Sequence, residues 1–264
     1  ENISTPNSLR VDASGVVWFA EKVGKNIAMY DPDKKEFKAF PVPSSWGNVG
    51  PSLIAMGPKG NVWFSVRKWA ESEDRTNFLG EFKPADASFK KHDLIAKAGE
   101  ALADSNRVIP EDLVVDGKGV VWFLIPNESA LYRYDPAGGV LKGYAIPSEN
   151  CYPRGITVDG KGVIWFAESN SNKIAKFDPE SETFNEYDIP TPFAVPVKVS
   201  VDGNGNIWFA QMRTSRLGVF YPAFERFDEA LLPALRSSPS AVAADGNGKI
   251  WFLEYLSNKV GVFD

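Results

Sequence analysis

Hydrophobic and polar residues alternate along this chain in short runs that recur. "RGITVD" (154–159) and "VIWFAE" (163–168) are rich in β-branched and aromatic residues and flank "DGKG" (159–162). They predict two antiparallel strands, A and B, joined by a tight turn whose Asp-Gly supplies a positive φ. "NKIAKFDP" then alternates and stops at Pro179, and "TFNEYDIP" does the same at Pro190, which predicts strands C and D.

The unit repeats. Trp-Phe pairs begin at Trp18, Trp63, Trp122, Trp165, Trp208 and Trp251, the last four 43 residues apart. A fixed period of this size marks units that cannot bury their own apolar faces and need neighbours. Four short antiparallel strands per unit predict an all-β fold, a six-bladed β-propeller of four-stranded antiparallel blades. It is expected as one domain over 1–264, with repeats at about 4–48, 49–107, 108–150, 151–193, 194–236 and 237–264. In this scheme the Trp and Phe of strand B fill the space between stacked blades, an aromatic burying ~150–250 Å². Repeat 6 ends with strand C at Asp264. Its blade is therefore expected either to lack strand D or to borrow a short substitute such as "ENIS" from the other end of the chain.

Spacing shows where the units differ. From the Trp of strand B to the Pro ending strand C is 14 residues in repeats 1, 3, 4 and 5, but Trp63 to Pro84 is 21. Pro84 to Pro110 is 26 residues where Pro136 to Pro153 is 17, the excess lying in the helix-favouring "IAKAGEALADSNRV". Strand direction places B–C and D–A loops on one face, here the entry face, and A–B turns on the other. Both insertions, Trp69 within the first, and Trp46 in the D–A loop before blade 2 map to the entry face. Loops on a rigid scaffold are where binding usually resides.

Pairing Asp159 with Gly162 across the turn sets Arg154 opposite Ala167 and Pro153 opposite Glu168. Two positions per blade then rim the channel mouth. The first set is Asn7, Ser52, Glu111, Arg154, Val197 and Ser240; the second is Glu21, Val66, Ile125, Glu168, Gln211 and Glu254. These acids read equally as solvated rim residues or as a site. In the second reading Glu21 and Glu254 share a cation, Mg or Ca, or one of them takes a proton, since adjacent like charges raise a pKa.

Composition narrows the partners. A net charge of -5 offers no basic stripe for nucleic acid or an anionic membrane, and no apolar run of about 18 residues is present to span a bilayer. The remaining partners are a small-molecule ligand or a protein on the entry face. The start at Glu1 without Met suggests a mature periplasmic or secreted chain. The lone Cys151 excludes an internal disulfide. His92, the sole histidine, lies in "FKKHDLI", the predicted outer strand of blade 2, and is expected at the surface. "DGNG" and "DGKG" lack the spacing and terminal Glu of a calcium loop and read as turns. No P-loop, G-x-S-x-G or paired C-x-x-C occurs.

"YPRGITVDGKGVIWFAESNSNKIAKFDP", echoed at "PNSLRVDASGVVWFAEKVGKNIAMYDP" and "PSAVAADGNGKIWFLEYLSNKVGVFD", resembles the repeat of virginiamycin B (streptogramin) lyases over nearly the whole chain. The resemblance implies a seven-bladed propeller that opens a cyclic depsipeptide by Mg-assisted elimination. Six repeats are a first departure. The resemblance also implies a His after the repeat's Pro in two neighbouring blades, a Glu before one such Pro, and a Glu closing "W-F-x-E". Only Glu21, Glu168 and Glu254 match. The post-Pro positions hold no His, Arg154 standing at one, and the pre-Pro positions Thr5, Gly50, Ile109, Tyr152, Val195 and Ser238 hold no Glu. Three functions follow as expectations: chiefly a ligand- or protein-binding module; a divergent carbon–oxygen lyase with a carboxylate-based site, with or without Mg assistance; or a metal-dependent lactonase-type hydrolase.

Overall fold

The computed structural model describes residues 5–68, 78–94, 110–234 and 236–263. Its strands form six antiparallel sheets, the blades of a six-bladed β-propeller. Blade 1 holds β1 (Pro6–Val11), β2 (Val17–Glu21), β3 (Asn26–Asp31) and β4 (Glu36–Pro41). Blade 2 holds β5 (Val49–Met56), β6 (Val62–Lys68), β7 (Phe78–Lys83) and β8 (Ser88–Asp93); blade 3 holds β9 (Asp112–Val115), β10 (Val121–Ile125), β11 (Ala130–Asp135) and β12 (Val140–Ala145). Blade 4 holds β13 (Pro153–Val158), β14 (Ile164–Glu168), β15 (Lys173–Asp178) and β16 (Thr183–Asp188). Blade 5 holds β17 (Pro196–Val201), β18 (Ile207–Gln211), β19 (Arg216–Tyr221) and β20 (Arg226–Leu231). Blade 6 has three strands among the described residues, β21 (Pro239–Ala244), β22 (Ile250–Glu254) and β23 (Lys259–Phe263). The expected substitute strand, "ENIS" at 1–4, lies outside the described residues.

Two compact units divide the chain: Glu1–Phe123 with Tyr132–Gly143, and Leu124–Leu131 with Tyr144–Asp264. In the first unit β1 lies beside β5 and β5 beside β9; in the second β13 lies beside β17 and β17 beside β21. The first strand of a blade therefore meets the first strand of the next, which marks it as the inner one.

Five of the six A–B hairpin turns are organised by an aspartate. Asp159 Oδ1 accepts from the backbone N–H groups of Lys161 and Val163, and Oδ2 accepts from the Trp165 indole at 3.0 Å. The indole bond recurs as Asp12–Trp18, Asp116–Trp122, Asp202–Trp208 and Asp245–Trp251. In blade 2 Gly57 takes the aspartate's place. The positive φ sits on the last glycine, Gly162 at φ 84°, and not on the Gly160 of the Asp-Gly pair. The expected tight turn is corrected accordingly: the loop is one residue longer, closed by Asp159 N donating to Val163 O.

The Trp and Phe of strand B point to opposite faces, as a period of two requires. In the second unit, Trp165, Ala167 and Ile174 of blade 4 pack with Val199, Ile207, Phe209 and Phe220 of blade 5. In the first unit, Trp18, Ala20 and Ile27 meet Ile54, Val62, Phe64 and Phe82 in the same way. The packing role expected of the Trp-Phe pairs holds at these junctions. Blade 6 departs from it: Trp251 is 43% exposed, with Leu253, Val260 and Val262 exposed on the same face of its sheet.

A phenylalanine this close to strand C demands a small partner. Phe209 pairs with Gly218, where a Cβ would stand 2.1 Å from the ring. Gly80 and Gly261 oppose Phe64 and Phe252 in the same manner.

Candidate functional site

The inner end of each A–B hairpin is where the candidate residues gather, and a bulge sets their register. Pro153 pairs with Glu168 and Arg154 with Ala167, then the register shifts before Ile156 pairs with Phe166. Similar shifts follow Pro6, Pro51, Pro196 and Pro239, which pair with Glu21, Val66, Gln211 and Glu254. The bulge is one extra residue on strand A. It offsets the extra residue in the turn, so the expected Pro153–Glu168 pairing is observed although the turn differs from expectation.

In the first unit, exposed Asn7 donates from Nδ2 to Ser52 Oγ and Ser52 O, both at 3.0 Å. This ties the rim position of blade 1 to that of blade 2. Glu21 is half-buried, and its Oε2 accepts from Asn26 Nδ2 at 2.8 Å. Glu111 is half-buried and Val66 and Ile125 are buried. Trp46 ends a 3-10 turn, Ser44–Trp46, and lays its ring against Phe64, Phe78 and Phe89 of blade 2. Its face is thereby engaged in packing. Trp69 and the two blade 2 insertions, 69–77 and 95–109, lie outside the described residues.

In the second unit Arg154 is half-buried with its guanidinium 5.0 Å from the Tyr152 ring centre. Val197 is buried and Ser240 half-buried. Glu168 and Gln211 are completely buried, and Glu254 is 6% exposed. The picture of a wet, ionisable rim therefore changes at these three residues. Burial first, and then the negative charge of Glu186, push the Glu168 carboxyl up to about 7, against the lowering influence of Ser148 and Lys173. Gln211 turns outward along its blade, donating to Glu229 Oε1 at 2.5 Å and accepting from Thr214 Oγ1 at 2.8 Å.

Two glutamates of strand D, Glu186 and Glu229, thus take part at the inner site, and the sequence reading did not single them out. The signal was present: "TFNE" and "RFDE" place both acids 43 residues apart. The partners Ser148 and Thr191 precede them by 38 residues each.

Glu21 and Glu254 are the expected ligands of Mg or Ca. Such ions take six or more oxygens. Among the described residues no three His, Cys, Asp or Glu side chains cluster to hold a metal.

His92 is not at the surface. It is 4% exposed, with Nε2 2.9 Å from Glu81 Oε2, Nδ1 3.1 Å from the Tyr134 hydroxyl, and its ring centre 4.5 Å from that of Trp63. Asn61 Nδ2 donates to the other Glu81 oxygen at 2.6 Å. The His92 bond leads the effects that hold the Glu81 carboxyl below its ordinary value. This cluster stands beside the one strand-B Trp whose turn lacks the aspartate. The expectation failed because strand D is not uniformly outer surface; its side chains also face the next blade.

A pocket of ≈ 460 Å³ opens among loops of blades 4, 5 and 6 in the second unit. Val195, Met212, Leu231 and Leu256 give it an apolar lining and Arg213 and Arg236 two exposed cations. All six belong to B–C or D–A loops or their ends, and so to the entry face.

The model of the virginiamycin B lyase family matches residues 1–264. Among solved structures, selenomethionine virginiamycin B lyase from Staphylococcus aureus is 22% identical at a TM-score of 0.80, the match covering 100% of this chain and 82% of that one. A streptogramin B lyase is 25% identical at a TM-score of 0.79, covering 98% and 78%. A catalytically inactive histidine-to-alanine variant of the Staphylococcus aureus enzyme, with quinupristin, is 23% identical at a TM-score of 0.80, covering 100% and 82%. No curated protein matches the sequence.

Proposed function

Because this chain belongs to the virginiamycin B lyase family yet keeps its one imidazole inside blade 2, we propose that it is a ligand- or protein-binding propeller and not a histidine-dependent lyase. The observation that carries the proposal is the position of His92, whose two ring nitrogens are engaged by Glu81 and Tyr134. A general base must come within hydrogen-bond reach of the proton that it takes, and a ring committed to the core does not. The substitution that inactivates the solved relative removes a histidine; here the whole chain has one, and it is structural. Glu168, a possible replacement, is sealed from solvent.

Binding is assigned to the entry face. An apolar pocket with a few convergent polar groups is the ordinary form of a small-molecule site, and the pocket flanked by Arg213 and Arg236 has that form. Its chemistry suits an amphipathic ligand with a carboxylate or other anionic group, since a guanidinium pairs with such groups in a forked geometry. The test is to incubate the protein with quinupristin and Mg²⁺ and to follow the depsipeptide by mass spectrometry. The intact ring is expected to persist. Linearisation at a rate comparable with a family lyase would overturn the reading.

A further inference from the structure

Blades 4 and 5 carry the same polar cluster with one group changed. In blade 5, Gln211 Nε2 donates to Glu229 Oε1 over 2.5 Å, and Thr191 Oγ1 donates to Glu229 Oε2 at 2.9 Å. In blade 4, 43 residues earlier, Glu168 stands for Gln211, Glu186 for Glu229 and Ser148 for Thr191. Glu186 has its donors: Ser148 N at 2.9 Å on Oε1, and Ser148 Oγ at 2.9 Å and Lys173 Nζ at 2.7 Å on Oε2. Glu168 is 0% exposed, and neither of its oxygens has a hydrogen-bond partner in good geometry, the nearby Ser148 hydroxyl being given to Glu186. A second ionised carboxylate in that place would be buried, unpaired and next to a like charge, which folding does not tolerate cheaply. Glutamine solves the problem in blade 5 by presenting an N–H.

We propose that Glu168 and Glu186 form a proton-sharing carboxyl–carboxylate pair, in which neutral Glu168 donates its O–H towards Glu186 as Gln211 donates its amide to Glu229. The pair makes blade 4 a pH-sensitive element of the propeller. It is internal to one blade and does not depend on what the entry face binds.

The surroundings agree with one proton held between two carboxyls. Burial, followed by the charge of Glu186, raises Glu168 to about 7. Burial also acts on Glu186, but the hydrogen bonds of Lys173 and Ser148 outweigh it and hold that carboxyl below its ordinary value. Lys173 is raised, first by its bond to Glu186, and feels Glu168 and Asp188 as well. Arg154, next to the Pro153 that pairs with Glu168, is a further charged neighbour, and the buried thiol of Cys151, which burial pushes up to about 11, stays neutral throughout.

Linkage gives the direction. Unfolded Glu168 loses its proton near the ordinary 4.5, while the folded residue keeps it to about 7. The contribution of the pair is therefore fully present below pH 4.5 and is lost as pH rises through 7. Glu186, shifted the other way, acts only as pH falls below its ordinary value, outside this window.

The experiment is urea unfolding of the intact chain from about pH 5 to about pH 8, on wild type, Glu168→Gln and Gln211→Glu. The wild-type midpoint is expected to fall across the window, that of Glu168→Gln to stay level, and that of Gln211→Glu to fall more steeply because blade 5 acquires the same pair. A carbon-13 titration of the glutamate side-chain carboxyls supplies a direct reading, with Glu168 expected to titrate well above the others. A Glu168→Gln midpoint that falls as the wild type does, or a Glu168 carboxyl already ionised at pH near 5, would overturn the proposal. If Glu168→Gln does not fold, the Gln211→Glu series decides: a pH profile parallel to the wild type rejects the pair.

Discussion

The indole of Trp165 donates to Asp159 Oδ2 over 3.0 Å, so the largest apolar side chain of blade 4 is also tied to its own hairpin turn. Trp165 is 2% exposed, and a buried indole N–H without an acceptor is costly. Asp159 answers that need while its other oxygen holds the two backbone donors of the turn. One carboxylate thus couples turn geometry to inter-blade packing.

Asp159→Ala should accordingly destabilise by about 2 kcal/mol, since an orphaned buried donor costs roughly 1–3 kcal/mol and the exposed turn donors recover water. Equilibrium urea unfolding at neutral pH measures it. A loss within about 0.5 kcal/mol, the ordinary range of surface substitutions, would show that the clamp is incidental.

Gly155 is a second point of leverage. It has φ 55°, and a Cβ there would lie 2.6 Å from Lys198 Cα and 2.8 Å from Val197 O on the neighbouring blade. Backbone cannot step aside as a side-chain end can. Gly155→Ala is expected to cost about 2–4 kcal/mol, combining overpacking of roughly 1–3 kcal/mol with the left-handed penalty. The adjacent β13 and β17 should show increased amide exchange. Gly160→Ala, where φ is not positive and open space surrounds the position, serves as the control and should be near neutral.

His92→Leu should destabilise by about 3 kcal/mol, the order of loss when a buried polar network is opened and one charge is left unpaired. Glu81 is then held by Asn61 without His92, and its carboxyl should rise towards the ordinary value. A depressed carboxylate stabilises above its unfolded pKa and loses that contribution as pH falls, so wild type should lose more stability than His92→Leu as pH drops below about 4.5. Equal acid sensitivity of the two proteins would count against the network.

Much of the fold is readable from the chain, because the Trp-Phe period and the four alternating runs are local and repeat. The inner site is less so. Glu21 and Glu168 close the same "W-F-x-E" motif, yet one is half-buried with Asn26 as donor and the other fully buried beside Glu186. What separates them is the loop residue Ser148 and the strand-D acid, which strand alternation does not connect. His92 differs from expectation for a related reason: the repeat alone puts its strand at the outer surface, whereas Glu81 and Tyr134 give it a buried polar berth that depends on the packing of blades. The turn and bulge erred in opposite directions, so the Pro153–Glu168 pairing emerged from a register that is one residue off on its turn side.

Arg213 and Arg236 stand at an apolar lining formed by Val195, Met212, Leu231 and Leu256, so a probe that joins an aromatic body to an anion should bind there by both parts. Anilinonaphthalene sulfonate is such a probe, and its fluorescence reports transfer to an apolar site. Blade 6 also exposes Trp251, Leu253, Val260 and Val262, which offers apolar surface without these cations. The two contributions separate by charge: reversing both arginines to glutamate should weaken the pocket-bound fraction about tenfold or more, corresponding to loss of about 1.4 kcal/mol. A neutral analogue should be insensitive to the reversal, and added salt should weaken the anionic probe in the wild type more than in the variant, because exposed charges are screened. Identical binding of the anionic probe to both proteins would remove the pocket as the anion site and leave the apolar face of blade 6 as the surface that it reports.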